Sequence, residues 1–140
     1  MKRMFAISIL FITIVIAGCQ DKVSKYKPSS EDVINRYVEV ENVERFQEFY
    51  HNVLNGKEDT VRVVNYTTEG DPLLHDLEYN GDVIKSTFDT RSDKFGEGNL
   101  HTATCNAIEV IELSQRTEYY LEGCGDYDYD EIITILHESE

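Results

Sequence analysis

Cationic residues are scarce in this chain of 140 residues, which contains 13 lysines and arginines against 27 acidic residues and has a formal net charge of −14. So negative a chain repels phosphate groups. The composition therefore argues against nucleic acid as a partner and against a domain that lies flat on anionic lipid. It favours solubility, cationic partners, or divalent cations held loosely at the surface.

The chain has no apolar run long enough for a membrane span, since a spanning helix needs about 20 apolar residues. Residues 4–18 are apolar or small, follow Lys2 and Arg3, and end at Cys19. The cations and the apolar run together are typical of an export signal. The segment from Ile16 to Cys19 resembles a bacterial lipobox, which implies cleavage after Gly18 and a diacylglycerol thioether on Cys19. An ordinary secretory signal with an incidental cysteine is the alternative.

These features predict three segments: a lipoprotein signal peptide over residues 1–18, a lipidated tether over 19–30, and a single domain over 31–140. Cleavage would leave 122 residues with a net charge of −16, because residues 1–18 contain two cations and no acid. That length suits one domain with a modest core. The predicted location is the outer, extracytoplasmic face of the cell membrane, to which the N-terminal lipid holds the protein.

Several motifs of catalytic and cofactor sites are missing. The sequence has no nucleophile elbow, no phosphate-cradling glycine loop and no metal-ligand spacing among its four histidines. We therefore predict no catalytic residue, no metal site and no cofactor, and we do not expect an enzyme. We expect His75 to be a buried core histidine.

The acidic run DYDYDE, residues 126–131, invites comparison with a calcium loop. An EF-hand requires glycine at its sixth position and glutamate at its twelfth, and here those positions hold Glu131 and His137. The run is therefore not an EF-hand. Weak calcium binding of another kind and a solvated acidic connection remain as alternatives.

The sequence has three cysteines, and lipidation of Cys19 would leave Cys105 and Cys124 as a pair in an oxidising compartment. A hairpin that turns at Ser114-Gln115 places these two cysteines opposite each other, and it pairs Ile108 with Leu121 and Val110 with Tyr119 on one face. We expect a cross-strand disulfide. Two buried free thiols, or a thiol redox pair, are the alternatives.

Helical periodicity begins after Asn42, which we expect to cap a helix. Its apolar stripe is Val43, Phe46, Tyr50, Val53 and Leu54, widened by Phe49, and Asn55-Gly56 is a left-handed stop. In the preceding residues 33–41, Val38 and Val40 alternate with polar residues. That segment is either a short edge strand or part of a continuous helix from Ser30.

Most of the remaining domain has strand patterns. The runs 60–66 and 132–136 are rich in β-branched residues, and residues 69–72 form a turn. Asn80-Gly81 predicts a two-residue hairpin that aligns Leu77 with Ile84 and Asp76 with Lys85. The predicted fold class is α+β: an antiparallel sheet of about five or six strands packed against one amphipathic helix.

One long loop is a candidate for recognition. Residues 90–102, TRSDKFGEGNLHT, are about as long as a structureless loop in a compact domain usually becomes. The loop offers a mixed charged and aromatic surface, formed by Arg91, Asp93, Lys94, Phe95 and His101. Loops of this kind often carry recognition, although Phe95 could instead tuck under the sheet.

A family resemblance is visible in residues 55–96. The Asn-Gly-Lys helix end, the turn at residues 66–72, the Asn-Gly hairpin and the two late cysteines resemble an uncharacterised family of small lipoproteins of Gram-positive, Bacillus-type bacteria, domain of unknown function 4362. The resemblance implies an exported, lipid-anchored protein. The family has no established activity, so the resemblance assigns no catalytic residue.

Three classes of function fit the sequence. The first, which we favour, is a non-enzymatic binding module with a protein or cell-wall partner. The second is a regulatory or inhibitory lipoprotein that acts on a membrane or cell-wall partner. The third is a hydrolase with an unrecognised site, which would require a concave pocket with paired titratable groups.

Overall fold

The computed structural model describes residues 26–36 and 39–125, and it describes the backbone of residues 131–137. Within these ranges the chain forms one helix, α1 (Val43–Leu54), and nine strands. The strands are β1 (Val33–Arg36), β2 (Glu39–Glu41), β3 (Asp59–Tyr66), β4 (Pro72–Tyr79), β5 (Ile84–Asp89), β6 (Leu100–Cys105), β7 (Ala107–Leu113), β8 (Arg116–Glu122) and β9 (Glu131–His137). The predicted signal peptide, Cys19, most of the tether and residues 126–130 of the acidic run lie outside the described residues.

The strands form two sheets. The first has six strands in the order β2-β1-β3-β4-β5-β6, and the second has three in the order β7-β8-β9. All neighbouring strands are antiparallel except β1 and β3, which are parallel because β2 and α1 provide the crossover between them. The predicted α+β class with one helix is confirmed. In the described parts of residues 33–41 the strand alternative is confirmed over the helix, but as two strands, β1 and β2, of which only β2 lies at the sheet edge. The division into two sheets was not predicted.

Helix α1 starts and stops where the sequence predicts, but Asn42 does not cap it as expected. Asn42 has a left-handed backbone with φ of 59°, and its side chain makes no capping hydrogen bond. Instead its Nδ2 donates to the carbonyl oxygens of Ser30 at 3.0 Å and Asp32 at 3.3 Å, which ties the helix start to the chain before β1. At the other end Gly56 has φ of 67°, as a left-handed stop requires.

The core lies between α1 and the two sheets. Phe46 and Phe49 are fully buried, and the Phe46 ring meets the Tyr119 ring of β8 edge-on at a centroid distance of 4.9 Å. Burial of one such side chain contributes about 1.5–3 kcal/mol. Leu54, which we expected on the apolar stripe, is 61% exposed because it lies at the end of the helix, so that part of the prediction is wrong.

The predicted register of the β4–β5 hairpin is wrong by two residues. Tyr79 pairs with Ile84, so the loop has four residues, 80–83, rather than two. The cause is the Asn80 side chain, whose Oδ1 accepts hydrogen bonds from the backbone N–H groups of Asp82 at 3.0 Å and Val83 at 2.9 Å. A shift of two keeps each side chain on its predicted face but changes its partner, so Lys85 lies opposite Glu78 and not Asp76.

The β7–β8 hairpin has the predicted register, with Ile108 opposite Leu121 and Val110 opposite Tyr119. A disulfide joins Cys105 to Cys124, and their Cα atoms are 3.9 Å apart. Cys105 is the last residue of β6, however, and not part of β7. The bond therefore links the end of the first sheet to the residues that follow β8 in the second.

Candidate binding surface

The outer face of the six-stranded sheet is the side that points away from α1. In the strand register Arg62, Asp76, Thr87 and Thr102 lie side by side across β3 to β6. A second row, formed by Thr60, Glu78, Lys85 and Thr104, runs beside the first and is exposed throughout. Charged side chains and threonines therefore cover this part of the face, whereas towards β1 the same face carries the buried apolar residues Ile34 and Val64. The inner side of the same strands is mainly apolar.

Two ion pairs lie on the outer face. Arg62 donates to Asp76 from Nε at 2.5 Å and from a terminal nitrogen at 2.7 Å, and Lys85 Nζ lies 3.2 Å from Glu78 Oε1. The hydrogen bonds to Asp76 raise the pKa of Arg62. Pairs as exposed as these contribute only about 0–1 kcal/mol each, so they fix side-chain positions more than they stabilise the fold.

The N-terminal residues 26–32 border this face on one side. The Arg62 guanidinium lies 5.8 Å from the centre of the Tyr26 ring, and the Tyr26 hydroxyl donates to the carboxylate of Asp32. Burial, and then this hydrogen bond, raise the pKa of Tyr26. An open cleft of about 490 Å³ lies beside this segment, and its charged lining comprises Glu31, Asp32, Arg45, Arg62, Asp76 and Glu78.

The loop that joins β5 to β6, residues 90–99, borders the face on another side. Its base is closed by Thr90, whose N–H donates to the Asn99 carbonyl and whose hydroxyl accepts from the Asn99 N–H, both at 2.8 Å. Arg91 donates two further hydrogen bonds to the carboxylate of Asp89, at 2.9 and 2.7 Å. Because Asp89 is an outer-face residue of β5, Arg91 lies beside that face.

A second set of hydrogen bonds, between Asp71 and Lys94, fastens the middle of the loop. Asp71, which is 4% exposed, accepts hydrogen bonds from the Lys94 ammonium at 2.5 Å and from the Lys94 backbone N–H at 3.1 Å. These two bonds lower the pKa of Asp71. Asp71 is itself held by Thr67, whose hydroxyl accepts from the Asp71 N–H at 3.1 Å. Asp71, in the turn before β4, thus holds the middle of the loop between β5 and β6 in place.

The five candidate recognition residues have different roles in this arrangement. Arg91 and Lys94 are paired with acids, and Asp93 accepts hydrogen bonds from the backbone N–H groups of Phe95 and Gly96. His101 lies in β6 opposite Phe88 and is therefore not part of the loop. Phe95 is 79% exposed, the highest value among the exposed large apolar residues.

Sequence reasoning identified Asp71 only as part of a turn and missed its contact with Lys94. The two residues are 23 positions apart and belong to different loops. No local pattern connects them, since the contact exists only once β4 and β5 have paired. The structure alone reveals that the loop is fastened.

His75 and Ser86 form a buried polar pair on the inner face, where the sequence predicts a core histidine. Each is 1% exposed, and His75 Nε2 lies 2.7 Å from Ser86 Oγ. Burial lowers the pKa of His75 to about 4, so the ring is neutral at pH 7. Although a histidine and a serine at this distance can act as base and nucleophile, bulk solvent and substrate cannot reach either atom in this arrangement.

Two further results bear on site chemistry. Within the described ranges, no group of three or more His, Cys, Asp or Glu side chains is arranged to hold a metal ion. The helix that the structure describes is too short and too polar to cross a bilayer.

Comparisons with known proteins place the chain in a family. A search of curated proteins and a search of solved structures found no match. A family model described as Domain of unknown function (DUF4362) matches residues 30–120, a range that contains α1, the six-stranded sheet and the fastened loop. Because the match covers more than half of the chain, this protein belongs to the family described as Domain of unknown function (DUF4362).

Proposed function

We propose that this chain is a lipid-anchored, extracytoplasmic binding module without enzymatic activity, and that it contacts a protein or cell-wall partner through its outer surface. The outer surface is the outer face of the six-stranded sheet together with residues 90–99. The observation that carries the proposal is Phe95, which is 79% exposed on a loop that is fastened at its base and in its middle.

An exposed phenylalanine on a held loop favours binding for an energetic reason. Covering a side chain of this size contributes roughly 2 kcal/mol. A free loop would lose much of that gain, because ordering each residue costs about 1–2 kcal/mol in conformational entropy. In this loop the hydrogen bonds of Thr90, Asp93 and Lys94 already supply part of that order, so a partner gains more of the contact energy.

The lipid anchor is supported by the basic residues, the apolar run and the lipobox that end at Cys19. Tyr26 contacts Arg62 of the outer face, and seven residue steps separate it from Cys19. A fully extended chain spans at most about 3.6 Å per residue, so a lipid on Cys19 would keep Tyr26 within about 25 Å of the bilayer. The proposed partner is therefore a component of the membrane surface or of the adjacent wall.

Photo-crosslinking in cells tests the binding function. Benzoylphenylalanine replaces Phe95 in one strain and, as a control, Leu54 in another, because Leu54 is also exposed, at 61%, but lies at the end of α1. We expect a defined crosslinked product from position 95 and none of the same mass from position 54. Equal products from both positions, or none from position 95, would overturn the proposal. A single membrane protein as the product would identify a regulatory or inhibitory role.

Cell fractionation of a Cys19→Ala variant tests the anchor. We expect the variant to leave the membrane fraction, since two or three acyl chains hold a soluble domain on a bilayer almost irreversibly. The control is a Cys105→Ala, Cys124→Ala variant, which removes the two disulfide-bonded cysteines but keeps Cys19. If the Cys19→Ala variant stays with the membranes, the lipid anchor is wrong.

A further inference from the structure

We propose that β6 is a docking edge, to which an extended, cationic segment of a partner protein adds as a further strand of the six-stranded sheet. The inference rests on the proposed function as a binding module and gives that function a partner of defined chemistry.

The direction of the β6 backbone groups follows from hydrogen bonds at its two ends. Thr90 N–H donates to the Asn99 carbonyl at 2.8 Å, so the Asn99 carbonyl points towards β5. Because bonded and non-bonded pairs alternate in an antiparallel ladder, Leu100, Thr102 and Thr104 turn their backbone groups away from β5. Asn106 confirms this direction, since its N–H donates to the Glu122 carbonyl of β8 at 2.8 Å.

Most of these outward groups have no backbone partner in the part of the chain that the structure describes. Strand β6 pairs only with β5 there, and the next residue, Asn106, already bonds to β8 through its N–H. The Leu100 N–H is satisfied by the Asn99 side chain at 2.9 Å. The N–H and carbonyl groups of Thr102 and Thr104 remain, and they form a row of alternating donors and acceptors of the kind that an extended backbone matches.

Strand β6 also lacks the features that usually protect a sheet edge. Exposed edge strands commonly carry charged side chains or proline, which oppose pairing with another strand. The sequence of β6 is LHTATC, without lysine, acid or proline, whereas the other edge strands contain acids, with two glutamates each in β2 and β7 and one in β9. An edge without acids, among described sheets whose three other edges contain them, indicates that pairing at this position is used.

Charge determines which extended segment fits. The chain has a net charge of −14, so a second copy would bring the same charge and be repelled, whereas a cationic segment is attracted. Its apolar side chains can contact Leu100, which is 49% exposed, and Phe95, which lies five residues before it. The occupant is therefore an extended peptide that alternates basic residues with apolar ones.

Amide hydrogen exchange on the full chain in nanodiscs tests this inference. The probe is an octapeptide that alternates lysine with valine, and the control is the same peptide with glutamate in place of lysine. We expect the lysine peptide to slow exchange at the Thr102 and Thr104 amides by about tenfold or more, while the glutamate peptide has no effect. The Ala103 amide, which points towards β5, serves as the internal reference. Unchanged exchange at Thr102 and Thr104, or equal protection by both peptides, would overturn the proposal.

A matched pair of variants separates the contribution of the Thr102 backbone N–H to peptide binding from that of its side chain. Thr102→Pro removes an outward N–H without breaking the β5–β6 ladder, which is where an edge strand tolerates proline. Thr102→Val keeps the N–H and loses only the hydroxyl. We expect binding of the lysine peptide to fall about tenfold or more in Thr102→Pro and to persist in Thr102→Val. Equal binding by both variants would overturn strand addition, and the exchange result on the unmodified chain decides the matter if the proline variant does not fold.

Two other outcomes have definite meanings. Protection of Thr102 and Thr104 that grows with protein concentration, without peptide, would show pairing of two copies and contradict the cationic partner. Benzoylphenylalanine at position 95 could give the same defined crosslink in cells whether or not the chain also carries Thr102→Pro. That result would refute strand docking but not the proposed binding function. The absence of any crosslink from position 95 would refute the binding function itself.

Discussion

The two faces of the six-stranded sheet differ in what lies against them. On the inner face Val63, Leu77 and Ile84 have no solvent exposure, and the helix and second sheet cover them. On the outer face Thr102 and Thr104 are exposed, and the ion pair of Lys85 with Glu78 leaves each side chain about half exposed. On these strands the side chains that build the core and the exposed side chains of the proposed binding surface therefore lie on opposite sides.

The contributions of single side chains to the free energy of unfolding also differ between the two faces. Each fully buried leucine or isoleucine of the inner face contributes about 1.5–3 kcal/mol, whereas an exposed ion pair contributes about 0–1 kcal/mol. The exposed positions of the outer face can therefore change with little effect on folding.

The largest expected contrast comes from truncating one side chain on each face. We expect Leu77→Ala on the inner face of β4 to lower the free energy of unfolding by about 2–5 kcal/mol, because it opens a cavity in the core. The matched change on the outer face, Thr87→Ala in the adjacent strand, should stay within about 0.5 kcal/mol. Urea unfolding of the two variants measures both values, and similar losses would contradict the contrast.

The disulfide should have the next largest effect, because Cys105 lies on the inner face and its bond to Cys124 joins the two sheets. The bond closes a loop with a sequence separation of 19, for which loop-closure entropy gives about 3 kcal/mol. Reduction should therefore lower the melting temperature markedly. A Cys105→Ala, Cys124→Ala variant serves as the control and should not respond to reductant. A melting curve of the unmodified chain that does not respond to reductant would show that the bond does not stabilise the fold.

Acid should destabilise the inner face through His75. The native pKa is about 4 against 6.5 for a free histidine, so below pH 6.5 the unfolded chain binds a proton that the folded chain does not. Stability is therefore complete above pH 6.5 and falls as the pH approaches 4, by about 3 kcal/mol in total. Urea titrations at several pH values, with His75→Gln as the comparison, isolate this contribution. Parallel pH profiles for the two chains would contradict it.

The smallest effect on global stability is expected at the loop fastening. Asp71→Asn removes the charge that holds Lys94, so amide exchange at Phe95 and Gly96 should accelerate while the global unfolding midpoint changes little. Lys94→Met tests the other partner and should give the same local effect. Because Lys94 lowers the pKa of Asp71, the unmodified loop should stay fastened until the pH falls below the ordinary aspartate range. Exchange rates unchanged by both variants would show that the loop is held by other contacts.

The elements that the sequence predicts well depend on local patterns. The β7–β8 register follows from alternating apolar residues around a two-residue turn, because a slip by one residue would turn the apolar set to solvent. The end of α1 follows from Asn55-Gly56, since glycine takes positive φ without a steric penalty.

Two of the wrong predictions arise where a polar side chain has two possible partners. Asn80 binds the N–H groups of Asp82 and Val83 and thereby lengthens a turn that Asn-Gly predicts to be tight. Asn42 binds the carbonyls of Ser30 and Asp32 in place of its own helix. The division into two sheets occurs at the single residue Asn106, which has no pattern of its own. These choices depend on tertiary contacts that the sequence does not reveal locally.

The most direct test of the central claim, that the outer surface recognises a partner while the inner face maintains the fold, is one crosslinking yield. Benzoylphenylalanine is placed at Lys85, an exposed residue of the outer face, in cells that carry either Phe95 or Phe95→Ser. The yield is normalised to folded protein. We expect Phe95→Ser to remove most of the crosslinked product without lowering the amount of folded chain. An undiminished product, or a product lost only in proportion to folded protein, would contradict it.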